Sequence, residues 1–386
     1  MAPAAIVVLV VVISGVALVL DKLWLDAASV ELQTAAESAA LASGGELATD
    51  DLLKPDFDQT ALLERARHKG KSIANTNKIA GNPVSLDDSE EGDIRFGKIV
   101  VQGDSGREVF VETQRRPTSV VVRAEHSRSR NNPVALFFQG LTGQPGGDVT
   151  ALAEASIDNR IVGLQPLDSV PVPALPLAIL KSCEDQSRID TWDAAITNRR
   201  GADRFCFHED TGEITSGPDG IPEITLRTAG RDEDVDESNM FLFAAKHTAT
   251  HEDIVRQLRS GWTEDDLPAG TDGLRLDRRH HKFLTLNGAG GSLPNELADL
   301  VGQCRIVFLY DEFQQDQYSR EGRIRCVRAV AGRILDVRLH SNEACEIVFQ
   351  PGVLTTRTAL LAAETLVQGS WDRLANPYIY KLRLTH

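Results

Sequence analysis

The apolar run at residues 4–20, AAIVVLVVVISGVALVL, constrains this chain more than any other feature. It contains no charged residue, and twelve of its side chains are Ile, Val or Leu. As a helix it spans about 26 Å at roughly 1.5 Å per residue, near the lower limit for crossing a bilayer. Its aliphatic side chains favour insertion by about 4–7 kcal/mol. The run predicts a retained single-pass anchor. The alternative is a cleaved signal peptide, but no basic segment precedes the run and DKLWLDAA (21–28) is a poor cleavage site.

The helix is expected to continue past the apolar run. Residues 21–43 contain neither proline nor glycine, and Gly44-Gly45 predicts the C-terminal stop. Helical spacing places a stripe of leucines and alanines on one face, and small residues there permit close helix packing. The candidate interface residues are Leu25, Ala28, Leu32, Ala35, Ala36 and Ala39. The stripe fits a helix–helix interface with other proteins or, alternatively, an amphipathic helix resting on its own domain.

This N-terminal segment resembles that of Tad-like Flp pilus-assembly proteins (TadE/TadG-like). The resemblance is carried by an acidic residue at the end of the apolar run, by Leu32-Gln33 and by AAESAALA (35–42). Further segments similar to the extracytoplasmic part of that family are GDIRFGKI (92–99), SVVVRAEHSRSRNNPVALFFQGLTG (119–143) and DVTALAEASI (148–157). The resemblance covers roughly residues 4–180 and more loosely 239–350. Two departures are the absence of a prepilin-peptidase site near the start and of a DxSxS metal motif.

The resemblance implies a non-enzymatic, membrane-anchored component of a Tad/Flp-type pilus-assembly or secretion system. Its partners would be the membrane and other pilus-assembly proteins, contacted through the N-terminal helix. It would be a single-pass protein of the inner (cytoplasmic) membrane with residues 21–386 outside the cytoplasm. Charge alone does not orient the anchor, because Lys22 is the only basic residue close to it.

After residue 48 the pattern changes to short runs rich in β-branched and aromatic residues between turn formers. Strands are expected at 93–102, 119–126, 133–140, 304–313 and 322–341. THEDIVRQLRSG (250–261) predicts a short helix with Thr250 as N-cap and Gly261 as stop. The predicted fold class is α+β, with an N-terminal transmembrane helix and helical extension before a β-rich region. The predicted division is an anchor and alanine-rich extension (1–48), a connector (49–90), a β-rich Tad-like domain (91–180) and a second β-rich α+β lobe (181–386). Four prolines in 164–180 predict an extended strap and exclude a central strand.

Composition excludes some partners. The chain has 56 acidic and 41 basic residues, a formal net charge of −15, and this balance argues against nucleic acid. Its five cysteines form no CxxC motif, and their odd number leaves at least one thiol unpaired within the chain. One or two disulfides and buried thiols are both compatible with this spacing.

No pattern in the sequence amounts to a catalytic, cofactor or metal site. His247 and His251 share a helical spacing, with His280-His281 as a further source of ligands, but HExxH is absent. Residues 232–243 begin like an EF-hand loop, yet Glu237 and Phe243 replace the required glycine and glutamate. The glycine-rich segment 287–296 lacks the ending of a phosphate loop. We therefore expect no enzyme, no cofactor and no metal. The alternatives are a membrane-tethered metal-dependent hydrolase and a secreted binding protein with a cleaved leader.

Overall fold

The chain folds into two compact units of mixed α+β structure. The computed structural model describes residues 2–102, 107–183, 188–229, 235–246, 249–268, 270–271, 273–276, 281–286, 293–315, 322–340, 344–362 and 375–385. Helix accounts for 29% and strand for 39%, which confirms the α+β class. Unit 1 comprises residues 1–47, 58–157 and 382–386, and unit 2 comprises residues 48–57 and 158–381. Residues 91–180 are therefore shared between the two units.

The helices are α1 (Ala2–Glu46), α2 (Gln59–Thr76) and α3 (Gln139–Thr142) in unit 1, and α4 (His251–Ser260) and α5 (Leu293–Ala298) in unit 2. The stop expected at Gly44-Gly45 is wrong, since α1 continues through both glycines. Gly44 has a different role: a Cβ there would lie 3.1 Å from Leu382 Cδ1 and 3.5 Å from the Ala155 Cβ. The glycine lets the helix approach the sheet closely.

The strands of unit 1 are β1 (Lys78–Ile79), β2 (Asn82–Pro83), β3 (Ile94–Gln102), β4 (Arg107–Glu112), β5 (Ser119–His126), β6 (Val134–Ala135), β7 (Gly146–Gly147) and β8 (Val149–Asp158). The order β8-β5-β3-β4 forms an antiparallel sheet. Val120, Val122 and Ala124 alternate inward on β5, and Ala151, Ala153 and Ala155 do so on β8. This alternation with period two gives the sheet one buried face.

Helices α1 and α2 pack on each other, and both contact this sheet. At their closest approach a Cβ on Gly70 of α2 would lie 3.2 Å from the Ala39 carbonyl oxygen of α1, and still closer to Ser43 Oγ. Small residues on both helices make this distance possible. The alanines of α1 therefore lie in the core of unit 1.

The strands of unit 2 are β9 (Ile161–Leu164), β10 (Ala174–Leu180), β11 (Phe205–Phe207), β12 (Ile214–Ser216), β13 (Ile224–Arg227), β14 (Met240–Ala244), β15 (Leu274–Arg275), β16 (His281–Thr285), β17 (Cys304–Gln315), β18 (Gly322–Leu339), β19 (Cys345–Pro351), β20 (Leu354–Thr355), β21 (Ala359–Leu361) and β22 (Ile379–Thr385). Residues 382–385 of β22 belong to unit 1, where they extend the sheet beside β8.

Five strands of unit 2 close into a ring. Pairings run from β10 to β14, β16 and β18, then to β17, which returns to β10 in parallel. Strands β19 and β13 extend the sheet from the second half of β18. An aromatic cluster fills the core, with Trp262 stacked on Phe308 at 5.1 Å and Phe243 edge-on to both. A closed ring leaves no free sheet edge among its members.

The proline-rich segment departs from expectation. Residues 174–180 are not a surface strap, because β10 lies between β14 and β17. Its pairing with β17 shifts register between Ala174 and Ala178, the stretch that contains Pro176. Proline is tolerated inside a sheet at such an irregularity, since no ladder hydrogen bond is required of its nitrogen.

Candidate membrane-interface site

The first half of α1 is apolar all round, and between Val8 and Leu20 only Ala17 is buried. Ten large apolar side chains between Val8 and Leu20 are 45–65% exposed. The most apolar stretch has a mean hydropathy of 2.3 and is only 11% buried. Soluble monomers rarely expose contiguous apolar surface of this extent. By length and composition this helix is able to span a membrane.

The uninterrupted apolar run ends at Asp21, which is only 4% exposed, although Leu23 just beyond it is again 58% exposed. Asp21 Oδ1 accepts backbone hydrogen bonds from Phe137, at 2.9 Å, and from Phe138, at 3.3 Å. Asp21 Oδ2 is buried without a hydrogen-bond partner among the described residues. The carboxylate thus ties α1 to a turn 116 residues away in sequence. Bonds to a charged acceptor contribute about 1.5–3 kcal/mol each.

The turn reached by Asp21 connects β6 and β7 and contains α3. Trp24 Nε1 donates a hydrogen bond to the Ala135 carbonyl oxygen at 3.1 Å, and the Trp24 and Phe137 rings lie 4.9 Å apart. Leu25 packs on the backbone of Gly147, where a Cβ would lie 2.6 Å from its side chain. An open apolar groove of about 510 Å³ runs beside these contacts, lined by Leu20, Leu23, Trp24, Ala27, Phe137 and Phe138. We call α1 residues 20–27 and the turn 136–143 the collar.

The strand expected over residues 133–140 is wrong for most of its length. Only Val134–Ala135 is strand, and Gln139–Thr142 forms one helical turn that ends at Gly143 in the left-handed region, at φ 71°. Pro133 before the apolar residues, and Gly140, Gly143 and Pro145 after them, signal a turn. The side-chain pattern alone gave no indication that Asp21 would contact this turn.

The structure places the candidate stripe inside the chain's own unit. Ala28, Leu32, Ala35, Ala36 and Ala39 are 0–1% exposed. Leu25 is half-buried at the collar. This arrangement is the alternative in which the helix rests on its own domain. The stripe offers no free surface to another protein in this conformation.

A second polar cluster lies in unit 2, around Arg333. Arg333 pairs with Asp50 in a buried ion pair, and its guanidinium lies 3.8 Å from the centre of the Phe207 ring. Burial and the neighbouring Asp50 raise the pKa of the Glu209 carboxyl. Asp50 Oδ1 also accepts the Val353 N–H, which fixes residues 50–53 on the unit. These contacts hold residues 50–53 and strand β11 against β18, so we interpret the cluster as structural.

The five cysteines are free thiols. Burial raises the pKa of Cys304 to about 12 and that of Cys345 to about 11, and it also raises the pKa of Cys326. Thiolates are the reactive form, and buried apolar surroundings disfavour them. These three residues are therefore packing groups.

The histidine and acidic residues singled out in the sequence form no metal-binding cluster among the described residues. His251 begins α4, capped by Thr250 and Asp253 and ended at Gly261 as the sequence predicts. His247, His280, Asp232, Asp234 and residues 287–292 lie outside the described residues. Within the described ranges, no group of three or more His, Cys, Asp or Glu side chains could hold a metal ion.

Most of the exposed large apolar side chains among the described residues therefore lie on α1 and in the collar. Comparison with known proteins found no matching family model, no matching curated protein and no matching solved structure.

Proposed function

We propose that this protein is a non-enzymatic, single-pass component of a Tad/Flp-type pilus-assembly or secretion system in the inner membrane. Residues 4–20 hold it in the bilayer, and the two units act outside the cytoplasm. The proposal has a membrane part, supported by the exposure of α1, and an assembly part, supported by the sequence resemblance.

One observation carries the assembly part. The segments that resemble the Tad-like family are separated in sequence but are neighbours in unit 1. GDIRFGKI leads into β3, SVVVRAEH forms β5 and DVTALAEASI forms most of β8, and these strands are adjacent in the sheet. The AAESAALA motif lies on α1, which packs over β5. The quoted motifs that carry the resemblance all lie in unit 1, as the motifs of one shared domain would, while the looser resemblance over 239–350 falls in unit 2.

The membrane part rests on energetics. Burying one Val, Leu or Ile side chain is worth about 1.5–3 kcal/mol, and ten such side chains of α1 are largely exposed. A bilayer removes this surface from water. It offers the backbone no hydrogen bonds, but a helix needs none because its backbone hydrogen bonds are internal. Asp21, the first charged residue after the apolar run, then marks the membrane boundary.

The alanine stripe has a changed role in this proposal. Because α2 and the sheet cover it, assembly partners would meet other surfaces of unit 1, with α1 supplying attachment to the membrane. Partners of the exposed half of α1 would lie within the bilayer, where helices associate through packing.

A genetic test separates the two parts. Deleting the gene from its host should abolish surface pili, and the wild-type chain supplied in trans should restore them. A Val12→Lys/Val16→Lys variant should fail, because it cannot stay in the membrane, whereas Val30→Lys/Thr34→Lys should restore pili. Normal pili in the deletion strain would refute the assembly role.

Orientation has its own measurement. Protease added to spheroplasts should digest the region after residue 48, and a periplasm-dependent reporter after His386 should be active. Full protection of that region in intact spheroplasts, with digestion after lysis, would place the two units in the cytoplasm and overturn the proposal.

A further inference from the structure

We infer that the turn 136–143 is a second membrane-contacting element, in which Phe137 and Leu141 enter the bilayer interface and lipid acyl chains occupy the collar groove. This inference rests on the proposed membrane anchoring of residues 4–20. It adds a lipid-binding surface on unit 1 and a fixed placement of that unit against the membrane.

The position of the turn carries the first step. Asp21 Oδ1, Trp24 Nε1 and Leu25 all bind the β6–β7 hairpin, so the turn is held at the level of the first helical turn after Leu20. Four residues of helix rise about 6 Å, so Trp24 lies within one headgroup layer of the membrane boundary. Tryptophan at this depth is typical of membrane interfaces.

The exposure of the turn carries the second step. Phe137 is 65% exposed and Leu141 is 50% exposed, although both belong to a turn pinned to the helix. The groove continues from Phe137 and Phe138 along Ala27, Leu23 and Leu20 into the apolar half of α1. A lipid that lies along Leu20 therefore meets the aromatic rings of the turn without crossing a polar surface.

Charge carries the third step. Residues 131–147 contain no Asp, Glu, Lys or Arg, in a chain in which 25% of residues are charged. The flanking charges are Arg130 and Asp148, at the base of the hairpin. Arg130 is already engaged by Asp93 Oδ2 at 2.7 Å. An uncharged tip with exposed aromatic and aliphatic groups enters an interface without burying a charge.

Lipid is favoured over a protein occupant because this surface is continuous with the anchor and lies level with the end of the anchor at Leu20. The test uses full-length protein in nanodiscs of phosphatidylethanolamine and phosphatidylglycerol. A p-benzoylphenylalanine photo-crosslinker replaces Phe137 in one variant and Leu141 in a second. Two positions are used so that failure of one variant to fold does not end the test.

Leu152 is the matched control position. It is apolar and 61% exposed on the same unit. Its carbonyl oxygen accepts a hydrogen bond from Gln33, about 20 Å along α1 from Leu20 at roughly 1.5 Å per residue. We expect lipid adducts by mass spectrometry at 137 and 141, and none above background at 152.

Three results would overturn the inference. No lipid adduct above the level at 152 for either turn position would show that the turn stays outside the interface. Crosslinks to a second copy of the chain would assign the surface to self-association. Equal lipid labelling at 137, 141 and 152 would show non-specific proximity. Failure of the wild-type chain to insert into nanodiscs would instead refute the anchor itself, so the two proposals fail in different ways.

Discussion

Helix α1 carries two apolar surfaces that meet different surroundings: its first half, which is apolar all round, and the stripe along its second half. Between Val8 and Leu20 the large side chains are exposed, whereas the apolar stripe between Ala28 and Ala40 is buried and, apart from Leu32, consists of alanines. A water-soluble helix would show the reverse. The size of the apolar side chains along this helix therefore depends on what they pack against. Fluid lipid accommodates bulky groups of any shape, while a rigid partner such as α2 requires small residues for close approach.

The largest effect is expected from charges in the buried half. Ala35→Glu/Ala39→Glu would bury two unpaired carboxylates, each costing several kcal/mol, against a typical total stability of about 5–15 kcal/mol. Unit 1 should not fold, as measured by protease resistance and thermal unfolding of the full chain in detergent. Val30→Glu/Thr34→Glu repeats the same spacing on an exposed face of α1 and should unfold like the wild type. Equal behaviour of the two variants would contradict burial of the stripe.

Charges in the exposed half should act on membrane retention instead of folding. Each lysine in Val12→Lys/Val16→Lys should cost about 2.5–3.5 kcal/mol of insertion free energy, similar in sum to the whole gain from the apolar run. The chain should move from the membrane fraction to the supernatant on alkaline extraction. Its unfolding temperature should not change. If the variant stays in the membrane fraction, or if its unfolding temperature falls, the two halves of α1 do not differ in the way proposed.

The boundary between the halves depends on Asp21. Asp21→Ala removes the acceptor of the Phe137 and Phe138 N–H groups and should loosen the turn by about 1.5–3 kcal/mol per lost bond. Faster hydrogen exchange of those two amides is the expected result, with exchange in β3 unchanged. Asp21→Asn keeps a carbonyl acceptor without the charge and should lie between Asp21→Ala and the wild type. Unchanged exchange in Asp21→Ala would show that the collar is held by its aromatic contacts alone.

The smallest effect compares one substitution in two settings. Gly70→Ala places a methyl group against Ser43 Oγ and the Ala39 carbonyl, and such overpacking costs about 1–3 kcal/mol. Gly15→Ala meets nothing within 4 Å. It should be neutral or favour the helix by up to about 1 kcal/mol. Thermal unfolding of both variants in the same detergent measures the sign, and the same sign in both would argue against close packing of α2 on α1.

Local rules predicted the elements with strong local signals. Thr250 and Gly261 delimited α4 correctly, because an N-cap hydroxyl and a C-terminal glycine act within one turn. The strands β3, β5, β17 and β18 followed from β-branched runs between turn formers. The same rules failed at Pro176 and at Gly44, where a register shift and a close contact with distant residues decide the conformation.

The candidate site was predictable only in part. The composition of residues 4–20 is enough to predict an apolar helix. The collar was not predictable, since the Asp21 carboxylate accepts the backbone N–H of Phe137 across 116 residues, and a backbone donor leaves no signature in the sequence. The ring in unit 2 was unpredictable for the same reason, because its closure depends on the parallel pairing of β10 with the distant strand β17. Alanine spacing predicted a close-packed face, but the identity of the partner required the fold.

Residues 382–385 extend the sheet of unit 1, which has a consequence for synthesis. Thr385 Oγ1 donates a hydrogen bond to Glu154 Oε1 at 2.7 Å. Leu382 lies against Gly44. At about 5–20 residues per second, residue 382 leaves the ribosome some tens of seconds after β8. Throughout that interval the nascent chain carries an unpaired β8 edge, a template for pairing with other chains. The first unit to be made is therefore the last to be completed, and a holding chaperone would be needed most during this delay.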